Sequence, residues 1–392
     1  MSRPLISRSP DLLRLRAEGF NVRLVDANVV VDDVPYLDGG GQLRRGALIS
    51  ALALRDDEPV APDDHTVLFT GEMPHDAQGS MGWLLAQPEC LGSLSDGTTY
   101  RHRFSQKPHG SNYPSYYLKF RRYLGLLEES VQASFPGTSA ATWMPVDADP
   151  AESVFVLEDT WSPRARISGI VNRAKSMKVA IVGVGGTGSH VLDLIAKTPC
   201  REIHLFDGKT ILQRNILRLP GATDRETVKL GPNKATHYAG VYGVLRRGIV
   251  AHPFALDAAS VDALGDMDFV FLCVDRPAAR GLIAGWLDRE GIPFIDVGMG
   301  LNVTDDEKLV GMVRTTLVLP GQLATADLPT NDVDLDDDLY NTNVQTVELN
   351  SLNAALAVIA WKKHFGIYGY VKTVMQSLYV VSSNRIQNRV AD

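Results

Sequence analysis

The sequence predicts an α/β protein: a doubly wound, mostly parallel sheet over residues 159–392, preceded by a separate α+β domain over residues 1–158. Three observations carry that expectation. From residue 178 onward, short apolar runs of strand length alternate with stretches of helical spacing, as in parallel strands joined by crossover helices. The first run leads into a glycine-rich turn that opens a helix. Between residues 144 and 164 the composition shifts to Pro145, Asp147, Asp149, Pro150, Glu152 and Pro163, with different apolar patterns on the two sides, which marks a domain boundary. At 392 residues the chain also exceeds one core of ordinary size.

In the first domain, residues 22–31 read as extended, Gly39-Gly40-Gly41 as a turn and 66–70 as a further strand. Residues 11–18 and 116–133 carry helical spacing, the second ending before Pro136. His65, His75, Cys90, His102 and His109 match no metal-ligand spacing and read as solvated or core side chains. Arg101, Arg103, Lys107, Lys119, Arg121 and Arg122, interleaved with Tyr113, Tyr116 and Tyr117, read as a solvated helix face with aromatic core contacts. The alternative is a partner-recognising face for an acidic protein.

In the second domain, 178–182, 202–206, 269–274 and 294–297 read as strands, and 188–197, 234–246 and 277–289 as helices. The turn Gly183-Val184-Gly185-Gly186-Thr187-Gly188 lets the backbone approach a phosphate at a helix N-terminus. Asp207, at the end of the second strand, is placed to bind ribose. Taken alone, this unit serves a dinucleotide-dependent dehydrogenase equally well.

Three downstream motifs separate the two readings. Arg214-Asn215-Ile216-Leu217-Arg218 follows Asp207, then Gly231-Pro232-Asn233-Lys234-Ala235, then Leu272-Cys273-Val274-Asp275. In this order they resemble the ubiquitin-activating-enzyme and ThiF/MoeB/HesA superfamily. Its pattern is a glycine loop, an acidic strand end, Asn-Leu-x-Arg, Gly-x-x-Lys-Ala and a later strand ending in Asp; Ile216 replaces the Leu. The resemblance spans residues 162–366, including a late helix over 347–365.

The resemblance implies a Rossmann-like adenylation domain that uses ATP with Mg²⁺. Gly183, Gly185, Gly186 and Gly188 would cradle phosphate, and Asp207 would grip the ribose. Arg218 and Lys234 would contact phosphates, Asn215 would orient the same region and Asp275 would hold the metal ion. Fixed cations offset the charge that spreads over phosphates when a carboxylate attacks the α-phosphate. An arginine ahead of the first strand, Arg166 or Arg164, would act across a homodimer interface. Read singly, Lys234 is an exposed helix-start lysine and Asp275 an N-cap ahead of Pro277.

The pattern breaks in two places. Many relatives carry Asp-x-Asp after the second strand, whereas the second acidic position here is Lys209. Relatives that form a thioester carry a cysteine in the loop past the strand near Gly298, and residues 301–346 contain none. Cys273 falls in an expected buried strand, where a thiol is inert. The reaction then stops at an acyl adenylate that another protein attacks, or a hydroxyl such as Thr325 or Thr330 attacks it. The acidic stretch from Asp332 to Asp338 reads as a solvated loop.

Composition bounds the partners. An apolar fraction of 45% and a charged fraction of 22% describe an ordinary folded protein, and a net charge of −7 with pI near 5.7 offers no footprint for nucleic acid. The longest apolar stretches are about half the roughly 20 residues that cross a bilayer. The N-terminus carries Asp11 and Glu18, so the expected location is cytoplasmic with no membrane contact. Cys90, Cys200 and Cys273 support neither a disulfide scaffold nor a thiolate zinc site.

The function these readings favour is ATP-dependent adenylation of the C-terminal glycine carboxylate of a ubiquitin-like protein, opening a prokaryotic-type conjugation pathway with a conjugating enzyme downstream. The alternatives are activation of a sulfur-carrier protein for thiamin or molybdopterin synthesis, an NAD-dependent oxidoreductase, and a catalytically silent dimeric scaffold.

Overall fold

In the computed structural model, which describes residues 5–6, 8–56, 58–87, 90–108, 112–326, 328–330 and 344–391, the chain divides into two units. One is Met1–Glu152 with Leu157–Ser168, the other Ser153–Val156 with Gly169–Asp392. The expected boundary at 158/159 falls where the two interleave.

The first unit is a mostly antiparallel sheet with helices packed on it. Helix α1 (Pro10–Ala17) starts at Ser9, whose hydroxyl caps Leu12 N–H. The run expected to be one extended segment is a hairpin of β1 (Val22–Val25) and β2 (Asn28–Leu37). Asp26 and Ala27 take φ of 48° and 58°, the left-handed pair that a two-residue hairpin turn requires. The sheet continues through β3 (Leu43–Ala51), β4 (Thr66–Phe69), β5 (Leu85–Gln87) and β6 (His102–Ser105) in the order β2-β3-β4-β6-β5.

Helix α2 (Tyr116–Gln132) starts at Ser115, which caps Leu118 N–H at 3.2 Å. It buries Tyr116, Phe120, Tyr123, Leu127 and Val131 at helical spacing among Val29, Val31, Phe69 and Phe104 of the sheet. Lys119 departs from the expected solvated face. It is 1% exposed, and its ammonium donates to Ser50 Oγ at 2.8 Å and to the Asp64 carbonyl at 2.7 Å. Its position beside Tyr116, Phe120 and Tyr123 on the buried face turned it inward; residue type suggested the opposite. Arg121 and Arg122 do face solvent. Among the described residues no group of His, Cys, Asp and Glu is arranged to hold a metal ion, and His109 lies outside them.

The second unit is doubly wound. Its main elements are β7 (Lys178–Val182), α3 (Gly186–Ile195), β8 (Glu202–Phe206), α4 (Lys234–Gly243), β9 (Ile249–His252), β10 (Phe269–Leu272), α5 (Pro277–Glu290), β11 (Phe294–Val303), β12 (Leu309–Val318), α6 (Val347–His364), β13 (Val374–Val380) and β14 (Arg385–Val390), with shorter helical segments such as Arg225–Leu230 between them. The sheet order is β9-β8-β7-β10-β11-β12-β13-β14. The first five strands are parallel and the last three antiparallel.

Both faces of the parallel part are covered. Val179 and Ile181 pack with Val191, Leu192, Ala357 and Trp361 of α3 and α6, while Ala180 and Val182 pack with Ile283, Ala284 and Leu287 of α5. Strand β11 runs past its expected end at residue 297 because β12 pairs with it along its full length, from Phe294↔Val318 to Val303↔Leu309. The glycines at 298 and 300 hid that continuation. Among the described residues no helix is long and apolar enough to cross a membrane.

Candidate nucleotide site

Strands β7, β8 and β10 lie side by side, so the segments that follow their C-terminal ends come together; this is where open α/β sheets bind ligands. After β7 the chain turns at Gly183, with φ +88°, and its N–H donates to the Phe206 carbonyl at 2.8 Å. A Cβ at Gly188 would fall 1.8 Å from the Gly183 carbonyl oxygen, so the loop closes onto α3 only with glycine there. Gly185 caps α3 without a side chain, which leaves the first N–H groups of the helix without a side-chain acceptor. A Cβ on Gly185 would meet nothing within 4 Å. The helix therefore begins two residues before the expected 188, inside the loop.

Asp207 ties the loop to the next strand. It is 8% exposed, and its carboxylate accepts from Val184 N–H at 2.9 Å and from Lys209 N–H at 2.8 Å. Each oxygen keeps a lone pair for a further donor such as a ribose hydroxyl. Asn233 donates to the Asp207 carbonyl at 2.7 Å while its own side-chain oxygen caps Thr236 N–H at 3.2 Å. One residue thereby joins α4 to the end of β8.

Lys234, the first residue of α4, is 5% exposed, unlike a solvated helix-start lysine. Burial lowers its pKa, and Asp207 opposes that shift. Arg218 ends a 3₁₀ turn, Gln213–Arg218, and its Nε is buried without a hydrogen-bond partner. Burial lowers the Arg218 pKa against the pull of Asp275. Asn215 is 4% exposed and accepts from Leu212 N–H at 3.1 Å, so its side-chain oxygen holds this turn in shape.

Asp275 does not cap α5: that position belongs to Arg276, with Pro277 as the first helical residue. Its carboxylate accepts from Lys209 Nζ at 3.0 Å. Burial pushes its pKa up, but the bond and charge of Lys209 outweigh that and hold it below the usual carboxylate range. An ionised, part-exposed carboxylate suits Mg²⁺, provided that phosphate oxygens complete the coordination, since among the described residues no group of three or more His, Cys, Asp and Glu is arranged around a metal ion.

Residues of α6 and of the segment just before it, which no sequence motif flagged, also line the glycine loop. Thr187 donates to Asn350 Oδ1 at 2.9 Å, and a Cβ on Gly186 would fall 2.5 Å from Gln345 Oε1 and 2.6 Å from Asn350 Nδ2. Those two amide atoms are buried with no hydrogen-bond partner. Their distance in sequence from Gly186 and their ordinary residue types left no signal.

Residues 165–315 match the model of the ThiF family. This stretch is a ThiF family domain. Residues 10–160 match a domain of unknown function, DUF6791. No curated protein matches the chain. Among solved structures, E. coli MccB with MccA-N7isoASN is 19% identical, with 56% of this chain and 66% of that chain covered and a TM-score of 0.46. E. coli MccB with ATP is 20% identical, with 56% and 65% covered and a TM-score of 0.43. Selenomethionine PaaA is 16% identical, with 77% and 98% covered and a TM-score of 0.45. The chain thus spans just under two thirds of the MccB length.

Within the ThiF domain the thiols are unsuited to attack. Cys200 is buried, and burial pushes its pKa up to about 12. Cys273 follows the end of β10 beneath the glycine loop, and burial raises its pKa as well. The Thr325 hydroxyl donates to the Gln322 carbonyl at 3.0 Å, and Thr330 lies against Gly281 of α5. Among the described residues no base is hydrogen-bonded to either. The acidic stretch 332–338 lies outside the described residues. Arg164 and Arg166 are exposed and fall in Leu157–Ser168, which groups with the first unit.

Proposed function

We propose that the ThiF domain adenylates the C-terminal carboxylate of a small partner protein, ubiquitin-like in its glycine-ended tail. The observation that carries this reading is the grouping of Arg218, Lys234 and Lys209 with Asp207 and Asp275 beside a glycine loop whose helix N-terminus lacks a side-chain cap. A dehydrogenase needs a hydride site, whereas this grouping suits a migrating polyphosphate charge.

In the proposed reaction a carboxylate oxygen of the partner attacks the α-phosphorus of ATP. The bond between that phosphorus and the bridging oxygen to the β-phosphate breaks, and pyrophosphate leaves with the electron pair. Asp207 orients the ribose, the N–H groups of Gly186, Thr187 and Gly188 face phosphate oxygens, and Arg218 and Lys234 offset the charge on the departing pyrophosphate. Mg²⁺ bound with the nucleotide at Asp275 would add Lewis acidity at the phosphates. We assign the acceptor step to a nucleophile on a second protein, such as a conjugating enzyme, in keeping with the inert thiols. Arg164 or Arg166 is proposed to complete the site from a second copy of the chain.

The test is exchange of labelled pyrophosphate into ATP by the full chain, with and without a glycine-ended small protein encoded beside it. Partner-dependent exchange that Asp275→Ala abolishes is expected. Absence of exchange with the partner present would overturn the reading, and a thermal shift with NAD larger than with ATP would favour the oxidoreductase.

A further inference from the structure

Lys209 stands two residues past Asp207, and its backbone is held on both sides. Its N–H donates to Asp207 Oδ1 at 2.8 Å, and its carbonyl accepts from Lys234 N–H at 3.0 Å. The backbone is anchored while the side chain reaches across to Asp275, donating to Oδ2 at 3.0 Å. The carboxylate assigned to the metal ion is thus held by a lysine.

The charges around this pair are unbalanced. Asp207 uses its oxygens on backbone N–H groups, while Arg218 and Lys234 face the same region and form no ion pair among the described residues. At least three cations, Lys209, Arg218 and Lys234, therefore face two carboxylates, with Arg276 also acting on Asp275 and Arg214 on Arg218. The Lys209 and Asp275 side chains are 58% and 41% exposed, so solvent screens their attraction and the pair is weak. A polyphosphate competes for the ammonium with several charged oxygens, and a divalent cation competes for the carboxylate. Both break the same contact, and each leaves the other's partner free.

We propose that Lys209 is a phosphate-binding residue that moves from Asp275 to the polyphosphate of ATP, and that this move frees Asp275 for Mg²⁺. This rests on the adenylation reading. A lysine with a flexible stem and a fixed backbone can make that exchange without moving the loop.

Calorimetric titration of the full chain with ATP, in EDTA and in excess Mg²⁺, tests it. Wild type binds ATP in EDTA. Lys209→Ala loses about tenfold or more of that affinity, the scale of one charge-assisted hydrogen bond, but about threefold or less in Mg²⁺. Lys209→Arg keeps the metal-free binding, adenosine binds all three proteins equally, and Lys229→Ala, which removes a lysine paired to Glu226 on a short helix, changes nothing. Asp275→Asn binds ATP in EDTA at least as tightly as wild type and gains nothing from Mg²⁺. An equal loss for Lys209→Ala in both buffers, or no loss in either, overturns the proposal while leaving adenylation standing. A wild type that binds ATP in neither buffer overturns both.

Discussion

The Arg280 guanidinium donates through Nε to Asp296 at 2.8 Å and through Nη2 to the Val274 carbonyl at 2.6 Å, the peptide that leads into Asp275. Asp296 is 0% exposed and takes a second arginine, Arg314, at 2.5 Å. A buried carboxylate between two guanidiniums thus fixes the backbone that carries the proposed metal ligand. Removing one member leaves a buried charge uncompensated, which costs about 3–5 kcal/mol. Asp296→Asn is expected to lower the unfolding free energy of the ThiF domain on that scale in a urea titration. A change below about 1 kcal/mol would show that the triad is dispensable.

The glycine loop separates packing from binding. Gly188→Ala places a methyl group 1.8 Å from a carbonyl oxygen and should destabilise the domain by about 3 kcal/mol or more. Gly185→Ala meets nothing within 4 Å, so stability should change by about 1 kcal/mol or less while ATP affinity falls, because the methyl group would enter the space proposed for phosphate. Chemical denaturation and ATP titration of the two variants check this, and unchanged ATP affinity in Gly185→Ala would place the phosphates elsewhere.

Lys119 gives the first unit a pH signature. Burial lowers its pKa to about 8, below the value of about 10.4 expected in the unfolded chain. Between those values the unfolded state binds more protons, so this lysine's cost to stability is full below about pH 8 and is relieved as pH rises towards 10.4. Relative to Lys119→Met, wild type should therefore gain about 2–3 kcal/mol across that window, followed by hydrogen exchange of α2 amides. A difference that stays flat with pH would mean that the buried ammonium titrates normally.

The thiols make a separate prediction. Iodoacetamide applied to the folded chain should modify Cys90 and leave Cys200 and Cys273 untouched until denaturant is added, as read by peptide mass spectrometry. Rapid native labelling of Cys273 would reopen a thioester step.

The amino-acid order alone determined the alternating α/β architecture and the glycine turn, and it singled out Asp207, Asn215, Arg218, Lys234 and Asp275 as candidates. Each rests on local periodicity or on a short motif whose members lie close in sequence. Tertiary structure decided what those residues touch. Lys119 reads as a surface charge until helical phase turns it onto a sheet, and Asn350 carries no signal until α6 packs against the glycine loop. The hairpin at Asp26–Ala27 and the extra length of β11 depend on pairing with other strands. The contact between Lys209 and Asp275 exists only because β7 and its flanking strands β8 and β10 are parallel neighbours, which brings residues 66 positions apart to the same edge. Motifs record chemistry that is local in the chain, whereas pair partners, burial and charge balance are set where distant segments meet.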